Sequence, residues 1–355
     1  MTATLPLFRR YPALAKTLPW LSLARLPTPL DDGHRGADAW GVGDLRIKRD
    51  DLAADLYGGN KLRKLEFILA DARARDCDAV VTFGAAGSNH ALATAIYARR
   101  LGLQCHAVLT PQPATPKVAN TLRYHAWLGT TLHAASTMEG VYAVVEQIRA
   151  AHPGGAERVY QIPWGGSSWL GNIGFVNAAL ELAEQWGDQP PPERVYAATG
   201  TMGTNLGLAV GFRLLGWPTL VECIRVVPHR VMTPEYFERL FRELNTELNQ
   251  RCADIPLLDD PYSNVSGRDE FLGEGYAIPT AGTTEAVELA TKLLNLGLET
   301  TYTGKAMAAM IHDARAGRLK NQRVVFWQTY NSRPYPAESA GIGAAGLPEA
   351  FGRYF

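Results

Sequence analysis

Short apolar runs alternate with amphipathic stretches over residues 65–163, and this alternation is the most regular pattern in the chain. The run from Asp78 to Phe83 predicts a buried strand, and the apolar positions from Ala91 to Leu101 recur at helical spacing. Further strands are predicted at 104–109, 131–134 and 158–162, with helices near 117–128 and 140–151. Strands that alternate with helices predict a parallel sheet with right-handed crossovers.

A similar order returns after a glycine-rich break at 163–168. Strands are predicted at 45–49, 195–198, 221–227 and 323–327, and helices at 175–186, 206–215, 285–297 and 304–316. We interpret the chain as an α/β protein with two open, twisted parallel-sheet domains. The larger domain is expected to comprise 1–62 and 164–355, with the smaller one inserted at 63–163. Residues 229–262 predict a helix and then irregular chain, with no assigned chemistry.

The junction before the inserted domain contains a lysine in an unusual setting. Gly58, Gly59 and Asn60 break the chain, and an amphipathic helix is predicted to start at or just after Lys61. Cations are unfavourable in the first turn of a helix, because the macrodipole is positive there. A partly desolvated lysine at this position becomes a better amine nucleophile. The alternative is an ordinary surface lysine after a turn.

A glycine- and threonine-rich loop at 199–207 lies between a predicted strand and a predicted helix. Backbone N–H groups at a helix N-terminus, with hydroxyls beside them, can bind a phosphate. The glycine spacing differs from the dinucleotide-binding GxGxxG motif, and no P-loop lysine follows. The loop therefore suits an isolated phosphate monoester, or it is simply a tight turn that packs a helix.

The loop at 84–90 has the same placement between strand and helix. Ser88 offers a hydroxyl and Asn89 an amide beside a possible second anion site. Either residue could instead be a helix N-cap, and His90 alone is typical of a packed histidine. A nucleophilic lysine with two anion loops could hold a phosphorylated aldehyde as a Schiff base beside a substrate carboxylate. That is the chemistry of pyridoxal phosphate.

The charge balance, the apolar runs and the cysteine spacing argue against several classes of partner. The chain has 355 residues, and 35 basic residues balance 35 acidic ones, so we expect neither nucleic acid nor a membrane as a partner. No stretch reaches the roughly 20 apolar residues that span a bilayer. The four cysteines form no CxxC pair, and no metal site is predicted. Thiols in apolar runs fit a reducing compartment, and we expect a cytoplasmic protein.

Four motifs together resemble one enzyme family. Gly-Gly-Asn-Lys-Leu-Arg-Lys-Leu-Glu, Gly-Ser-Asn-His, Gly-Gly-Ser and Tyr-Thr-Gly-Lys-Ala-Met occur in the order seen in D-cysteine desulfhydrases. Those enzymes are grouped with 1-aminocyclopropane-1-carboxylate (ACC) deaminases in the tryptophan-synthase-β-like fold, called fold type II. The resemblance covers roughly residues 20–332, and it implies pyridoxal 5'-phosphate as the cofactor.

The resemblance also implies roles for single residues. Lys61 would carry the cofactor, Asn89 would contact its phenolic oxygen, and Thr329 would bond its pyridine nitrogen. The phosphate would bind at Gly200, Thr201, Met202, Gly203 and Thr204. Ser88 would contact the substrate carboxylate or a transferring proton, and the substrate would also meet Asn89, His90, Trp164, Tyr276 and Tyr302. The tyrosines could instead simply pack, and Thr329 could merely end a strand.

Several positions depart from the family pattern. Gly87 stands where a glutamine is usual, Met202 replaces a glycine, and Tyr330-Asn331 replaces a glycine pair. Trp164 precedes the Gly-Gly-Ser motif. Each bulky side chain could reshape the substrate pocket, so the cofactor is predicted more firmly than the substrate.

The sequence therefore predicts a homodimeric, pyridoxal-phosphate-dependent lyase or deaminase that acts on a small amino acid. β-Elimination from a D-cysteine-like substrate is favoured, because Thr303 stands where ACC deaminases carry a glutamate. An ACC deaminase and an amino-acid racemase of the same fold are the alternatives. A non-enzymatic protein that binds a phosphorylated metabolite is the alternative from another class.

Overall fold

The computed structural model describes residues 4–231 and 233–355. Its strands in chain order are β1 (Leu30–Asp32), β2 (Asp44–Arg49), β3 (Ala79–Ala85), β4 (Gln104–Thr110), β5 (Thr131–Ala134), β6 (Val159–Gln161), β7 (Arg194–Thr199), β8 (Leu220–Arg225), β9 (Val265–Arg268) and β10 (Arg323–Gln328).

The helices surround these strands in both halves of the chain. They are α1 (Pro6–Arg10), α2 (Leu14–Thr17), α3 (His34–Trp40), α4 (Lys61–Ala74), α5 (Asn89–Arg100), α6 (Pro116–Trp127), α7 (Met138–Ala151), α8 (Trp169–Trp186), α9 (Gly203–Leu214), α10 (Pro234–Arg251), α11 (Ala281–Leu294) and α12 (Thr303–Arg315).

The larger of two compact units contains residues up to Leu18, Ala24–Lys64 and Ser167–Ser332. Its sheet has the order β1-β2-β10-β7-β8-β9, with β1 antiparallel to β2 and every other pair parallel. Helices α8 and α9 pack on it through a fully buried core that includes Phe175, Phe212 and Trp327. The carboxyl ends of its parallel strands lie at the same edge of the sheet. In open α/β sheets, the loops at this edge carry the chemistry.

The smaller unit contains Pro19–Leu23, Leu65–Gly166 and Arg333–Phe355. Its sheet has the order β5-β4-β3-β6, and all neighbours are parallel. One core lies under α7 and includes Val81 and Phe83. The predicted α/β fold with parallel sheets is confirmed.

Residues 333–355 belong to the smaller unit, whereas the sequence predicts them in the larger domain. Phe351 and Tyr354 pack in a core with Val118 and Leu122, which explains the assignment. The Tyr354 hydroxyl also accepts a hydrogen bond from the backbone N–H of Gln112 (3.1 Å). This Gly-, Ala- and Pro-rich segment has no apolar period, so its sequence did not indicate where it packs.

A buried group of four charges fixes the first turn of α4 within the larger unit. Arg63 donates to Asp50 (2.7 Å) and to Glu181 (2.9 Å), and Lys48 donates to Glu181 (2.6 Å). Burial opposes ionisation of Glu181, but Arg63 and Lys48 outweigh it and lower its pKa to about 2. These contacts anchor the helix two residues after Lys61.

Candidate active site

The turn before Lys61 brings two backbone segments unusually close to each other. Gly58 N–H donates to Asn331 Oδ1 and Gly59 N–H donates to the Asp50 carbonyl, both at 2.7 Å. A β-carbon at Gly58 would lie 2.0 Å from the Asp51 carbonyl oxygen, and Gly59 has a φ of +96°. A side chain at Gly58 would collide with that oxygen, and the positive φ at Gly59 favours glycine. The turn therefore requires glycine at both positions.

Asn60 connects the turn at residues 58–60, here called the lysine turn, to two other parts of the larger unit. Its backbone N–H donates to the Thr329 carbonyl (3.1 Å), and its side-chain amide donates to Thr204 Oγ1 (3.0 Å). Lys61 is the first residue of α4, and desolvation lowers its pKa to about 8. At neutral pH this lysine has far more neutral amine than an exposed lysine does.

The predicted phosphate loop connects β7 to α9. Met202 caps α9 in a left-handed conformation (φ 61°), with no hydrogen bond from its side chain to the helix. Gly203 and Thr204 form the first turn and are buried. The backbone N–H groups of a helix's first turn lack partners inside the helix, so the loop can receive an anion.

Three residues that the sequence patterns did not indicate as site residues line this helix end. Lys64 Nζ donates to Ser167 Oγ (2.9 Å), which lies 2.7 Å from Thr201 Oγ1. A β-carbon at Gly203 would lie 2.6 Å from Lys64 Nζ and 2.1 Å from Asn172 Oδ1. Both polar atoms of the Asn172 amide are buried without a hydrogen-bond partner among the described residues. Burial, followed by the charge of Lys61, holds the pKa of Lys64 well below its usual value.

Tyr276 and Tyr302 form a pair. Their hydroxyl oxygens are 2.8 Å apart and their rings meet at 80°. Burial raises the pKa of Tyr276 to about 12 and that of Tyr302 well above 10, so both phenols are protonated at neutral pH. A β-carbon at Gly200 would lie 3.5 Å from the Tyr302 ring, which places this tyrosine beside the predicted phosphate loop.

The two threonines of interest occupy different settings. Thr329 directly follows β10 and is buried, and its carbonyl accepts the Asn60 N–H. Thr303 is the first residue of α12, and its hydroxyl accepts from the backbone N–H of Glu299 (3.1 Å). Thr303 therefore serves the start of a helix.

The remaining predicted residues belong to the smaller unit. Ser88 caps α5 by accepting from the Ala91 N–H (3.2 Å), Asn89 is the first residue of that helix, and His90 is buried. The Trp164 ring packs 5.0 Å from that of Phe83. Gly87 N–H donates to the side-chain oxygen of Gln112 (2.8 Å), and the Gln112 amide fills the space beside Gly87 where a side chain would begin.

Comparison with known proteins identifies the family. The sequence model described as "Pyridoxal-phosphate dependent enzyme" matches residues 21–329. The chain belongs to this family. A D-cysteine desulfhydrase of Salmonella choleraesuis (strain SC-B67) is 36% identical over 302 residues, 82% of this chain and 88% of the relative. One of Klebsiella pneumoniae subsp. pneumoniae is 34% identical, over 86% of this chain and 91% of the relative.

Solved structures of similar proteins share the fold. An ACC deaminase homologue is 26% identical with a TM-score of 0.78, covering 92% of this chain and 95% of that one. A pyridoxal 5'-phosphate-dependent aspartate racemase is 17% identical with a TM-score of 0.59, covering 93% and 95%. At this low identity, the racemase is evidence for the fold of this chain and for nothing further.

Pyridoxal 5'-phosphate is the cofactor of this family, and the larger unit fits it. The amine of Lys61 suits an aldehyde, while the first turn of α9, Lys64 and the unpartnered Asn172 amide suit a phosphate. Within residues 4–231 and 233–355, no helix is long and apolar enough to cross a membrane. Over the same residues, no three His, Cys, Asp or Glu side chains are grouped to hold a metal ion.

Proposed function

We propose that this protein is a pyridoxal-phosphate-dependent lyase that eliminates the β-substituent of a small D-amino acid such as D-cysteine. The observation that carries the proposal is the Asn60 side chain, which ties the lysine turn to Thr204 in the phosphate loop (3.0 Å). With D-cysteine and water as reactants, the products are pyruvate, ammonia and hydrogen sulfide. Two D-cysteine desulfhydrases at 36% and 34% identity support this substrate class.

Residues of the larger unit would hold the cofactor. We assign the covalent link to Lys61 and the phosphate to Gly200, Thr201, Met202, Gly203 and Thr204. Lys64 is added because its side-chain nitrogen lies beside Ser167 at the same helix end. Thr329 would bond the ring nitrogen. When bound, the cofactor withdraws electrons from the substrate Cα, which makes loss of the Cα proton possible.

The chain's own groups would then move the protons. Lys61, with a pKa near 8, is suited to accept the Cα proton as a neutral amine. The protonated tyrosine pair, Tyr276 and Tyr302, is suited to donate a proton to the departing sulfur. In the smaller unit, we assign Ser88 to the substrate carboxylate or a transferring proton, Asn89 to the cofactor oxygen, and His90 and Trp164 to substrate contacts.

Elimination is favoured over cyclopropane ring opening because no acidic side chain is assigned to the ring nitrogen. Opening the ring breaks a carbon–carbon bond and needs strong electron withdrawal, which a protonated ring nitrogen provides. A neutral Thr329 at that nitrogen would leave it unprotonated, and the Thr303 hydroxyl is engaged with Glu299. ACC deaminase activity remains the second candidate, supported by the ACC deaminase homologue at 26% identity.

We also propose that the enzyme is a cytoplasmic homodimer. Light scattering of the purified protein tests the dimer, because a mass close to 38.7 kDa would show a monomer.

Borohydride reduction of the protein loaded with pyridoxal phosphate, followed by peptide mapping, tests the cofactor lysine. We expect the pyridoxyl group on Lys61. Lys64 and Lys305 are internal controls, because each side-chain nitrogen already donates to protein oxygens. A label on either residue would refute the assignment.

The substrate class is tested by measuring pyruvate from D-cysteine and β-chloro-D-alanine, and the keto acid released from ACC, under identical conditions. We expect turnover of the β-substituted alanines and little or none of ACC. The L-enantiomers, run in parallel, test the stereochemistry. ACC turnover equal to that of the alanines would overturn the argument from Thr329.

A further inference from the structure

Lys305 lies in the same motif as Tyr302, and the proposed reaction gives it no role. It is fully buried on α12, and its ammonium donates to the carbonyl oxygens of Leu272 (2.6 Å) and Gly275 (2.9 Å). The Gly275 carbonyl belongs to the peptide group that leads into Tyr276. Lys305 therefore holds the backbone at that tyrosine.

The segment at 272–276 has little regular structure to hold it. It contains neither helix nor strand, and Gly273 and Gly275 have positive φ angles of 64° and 157°. Ala277, directly after it, has a left-handed φ of 61°, which is strained for a residue with a side chain. Hydrogen bonds from a charged donor are stronger than those between neutral groups. The two bonds from Lys305 are thus well suited to fix this segment.

Glu299 holds the other tyrosine in a similar way. Its carboxylate accepts from the backbone N–H groups of Thr301 (2.8 Å), Tyr302 (2.7 Å) and Thr303 (2.9 Å). A carboxylate is favourable at this end of α12, because the unpaired N–H groups there carry partial positive charge. Glu299 therefore fixes the backbone of Tyr302 at the point where its ring passes Gly200.

The two anchors act on one hydrogen bond. Tyr276 and Tyr302 come from separate segments, yet their hydroxyls meet at 2.8 Å. A displacement of either backbone by 1 Å would lengthen that contact beyond hydrogen-bond distance. The Glu299 charge also favours the protonated form of both phenols and so raises the pKa of each, by less than burial and the contact between the two hydroxyls change it.

We propose that Lys305 and Glu299 are positioning residues for the tyrosine pair. Lys305 sets Tyr276 through the carbonyls of Leu272 and Gly275, and Glu299 sets Tyr302 through three backbone N–H groups. The inference rests on the proposed function, because it matters for turnover only if the tyrosines face the substrate.

Lys305→Met, which keeps the unbranched shape and most of the length of the side chain but removes the ammonium, tests the first anchor in the holoenzyme. We expect amide hydrogen exchange of the peptide covering 272–276 to accelerate by about tenfold or more, as expected when hydrogen bonds to a charged group are lost. We expect kcat for D-cysteine to fall by roughly 10- to 100-fold with the cofactor still bound. Lys305→Arg, which retains donors, should recover most of both effects. Lys320→Met, at an exposed lysine after α12, is the matched control.

Glu299→Gln tests the second anchor with a pH profile. Removing the negative charge lowers the pKa of both phenols, so the alkaline limb of kcat should move to lower pH. Glu288→Gln, at an exposed glutamate on α11, should leave the profile unchanged. A merely structural role for Glu299 would lower thermal stability without moving this limb.

The outcomes separate this inference from the proposed function. Unchanged exchange at 272–276 in Lys305→Met overturns the anchoring role, whatever the activity. Faster exchange with unchanged kcat overturns the positioning role, while the cofactor assignment to Lys61 stands. If the wild-type protein turns over no β-substituted alanine, the proposed function fails, and the exchange experiment still tests the anchors.

Discussion

At the scale of single residues, the surroundings of Lys61 set the reactivity of its amine. Lys61 is the first residue of α4, and desolvation lowers the pKa of its amine to about 8. The neutral amine is the form that attacks an aldehyde, so its fraction sets the rate at which cofactor-free protein captures pyridoxal phosphate.

We predict that this capture rate rises about tenfold per pH unit below pH 8 and levels off near that value. The sign follows from the lowered pKa, because an ordinary lysine would continue to gain neutral amine up to about pH 10.4. Stopped-flow absorbance after mixing with pyridoxal phosphate measures the rate, and a free lysine analogue is the control. A rate that keeps climbing through pH 10 would contradict the desolvated setting.

Lys64 gives a second prediction at this scale. Lys64→Met should weaken cofactor binding by roughly 10- to 100-fold, because a hydrogen bond between charged partners is lost at the phosphate. Equilibrium dialysis of the cofactor measures the effect, and Lys320→Met is the control at an exposed site. Equal affinity in both variants would remove Lys64 from the phosphate site.

Sequence patterns indicated some of these residues and not others, for a physical reason. Lys61 follows two glycines and an asparagine, and the predicted phosphate loop lies between a strand and a helix, so local sequence indicates both. Lys64, Ser167 and Asn172 meet only through folding, since 103 residues separate Lys64 from Ser167 along the chain. The Gln112 side chain beside Gly87 is equally invisible to a local pattern, because it comes from the loop after β4.

At the scale of elements, α8 offers a direct comparison of buried and exposed charge. Glu181 and Glu184 both accept from an arginine, yet the Glu181 side chain is 2% exposed and that of Glu184 is 52% exposed. Breaking a buried pair leaves a charge without its partner in a medium of low dielectric, whereas water compensates for the loss of an exposed pair.

Glu181→Gln should therefore lower the free energy of unfolding of the larger unit by about 3–5 kcal/mol. Glu184→Gln, the matched control one turn along the same helix, should cost about 0–1 kcal/mol. Urea unfolding followed by tryptophan fluorescence measures both. Equal effects in the two variants would show that the buried group contributes no more than a surface pair.

In the six-stranded sheet, the strands that bury more side chain are the ones that the sequence predicts. The central strands β3, β7, β8 and β10 are apolar runs, and each was predicted to within a few residues. Strands β1 (Leu-Asp-Asp) and β9 (Val-Ser-Gly-Arg) were not, because they lie at the sheet edges and bury little side chain. Edge strands of this kind depend on backbone pairing, which leaves no apolar pattern in the sequence.

At the scale of the whole molecule, the residues of each compact unit are widely dispersed along the chain. Residues 333–355 pack in the smaller unit, and Tyr354 both accepts from and donates to the Gln112 backbone. Gln112 in turn accepts from Gly87, next to Ser88. The end of the described chain therefore supports the Ser88 loop.

We predict that Tyr354→Phe accelerates amide exchange at 86–90 by roughly fivefold, the effect of losing about 1 kcal/mol of hydrogen bonding. Hydrogen-exchange mass spectrometry measures this on the intact protein. Tyr142→Phe removes the hydroxyl of an exposed tyrosine in the same unit and should leave the rate unchanged. No difference between the variants would show that the Ser88 loop keeps its order without Tyr354.

The buried group of Lys48, Asp50, Arg63 and Glu181 also restricts how this protein can evolve. Two cations and two anions balance within it, so any single charge-removing substitution leaves an uncompensated charge in the core. Replacing such a group entirely with well-packed apolar side chains can be neutral or even stabilising. Each intermediate on the way is nevertheless less stable than either end. Evolution can therefore replace these buried charges only through paired substitutions. As long as the charges are kept, the start of α4 that carries Lys61 is kept with them.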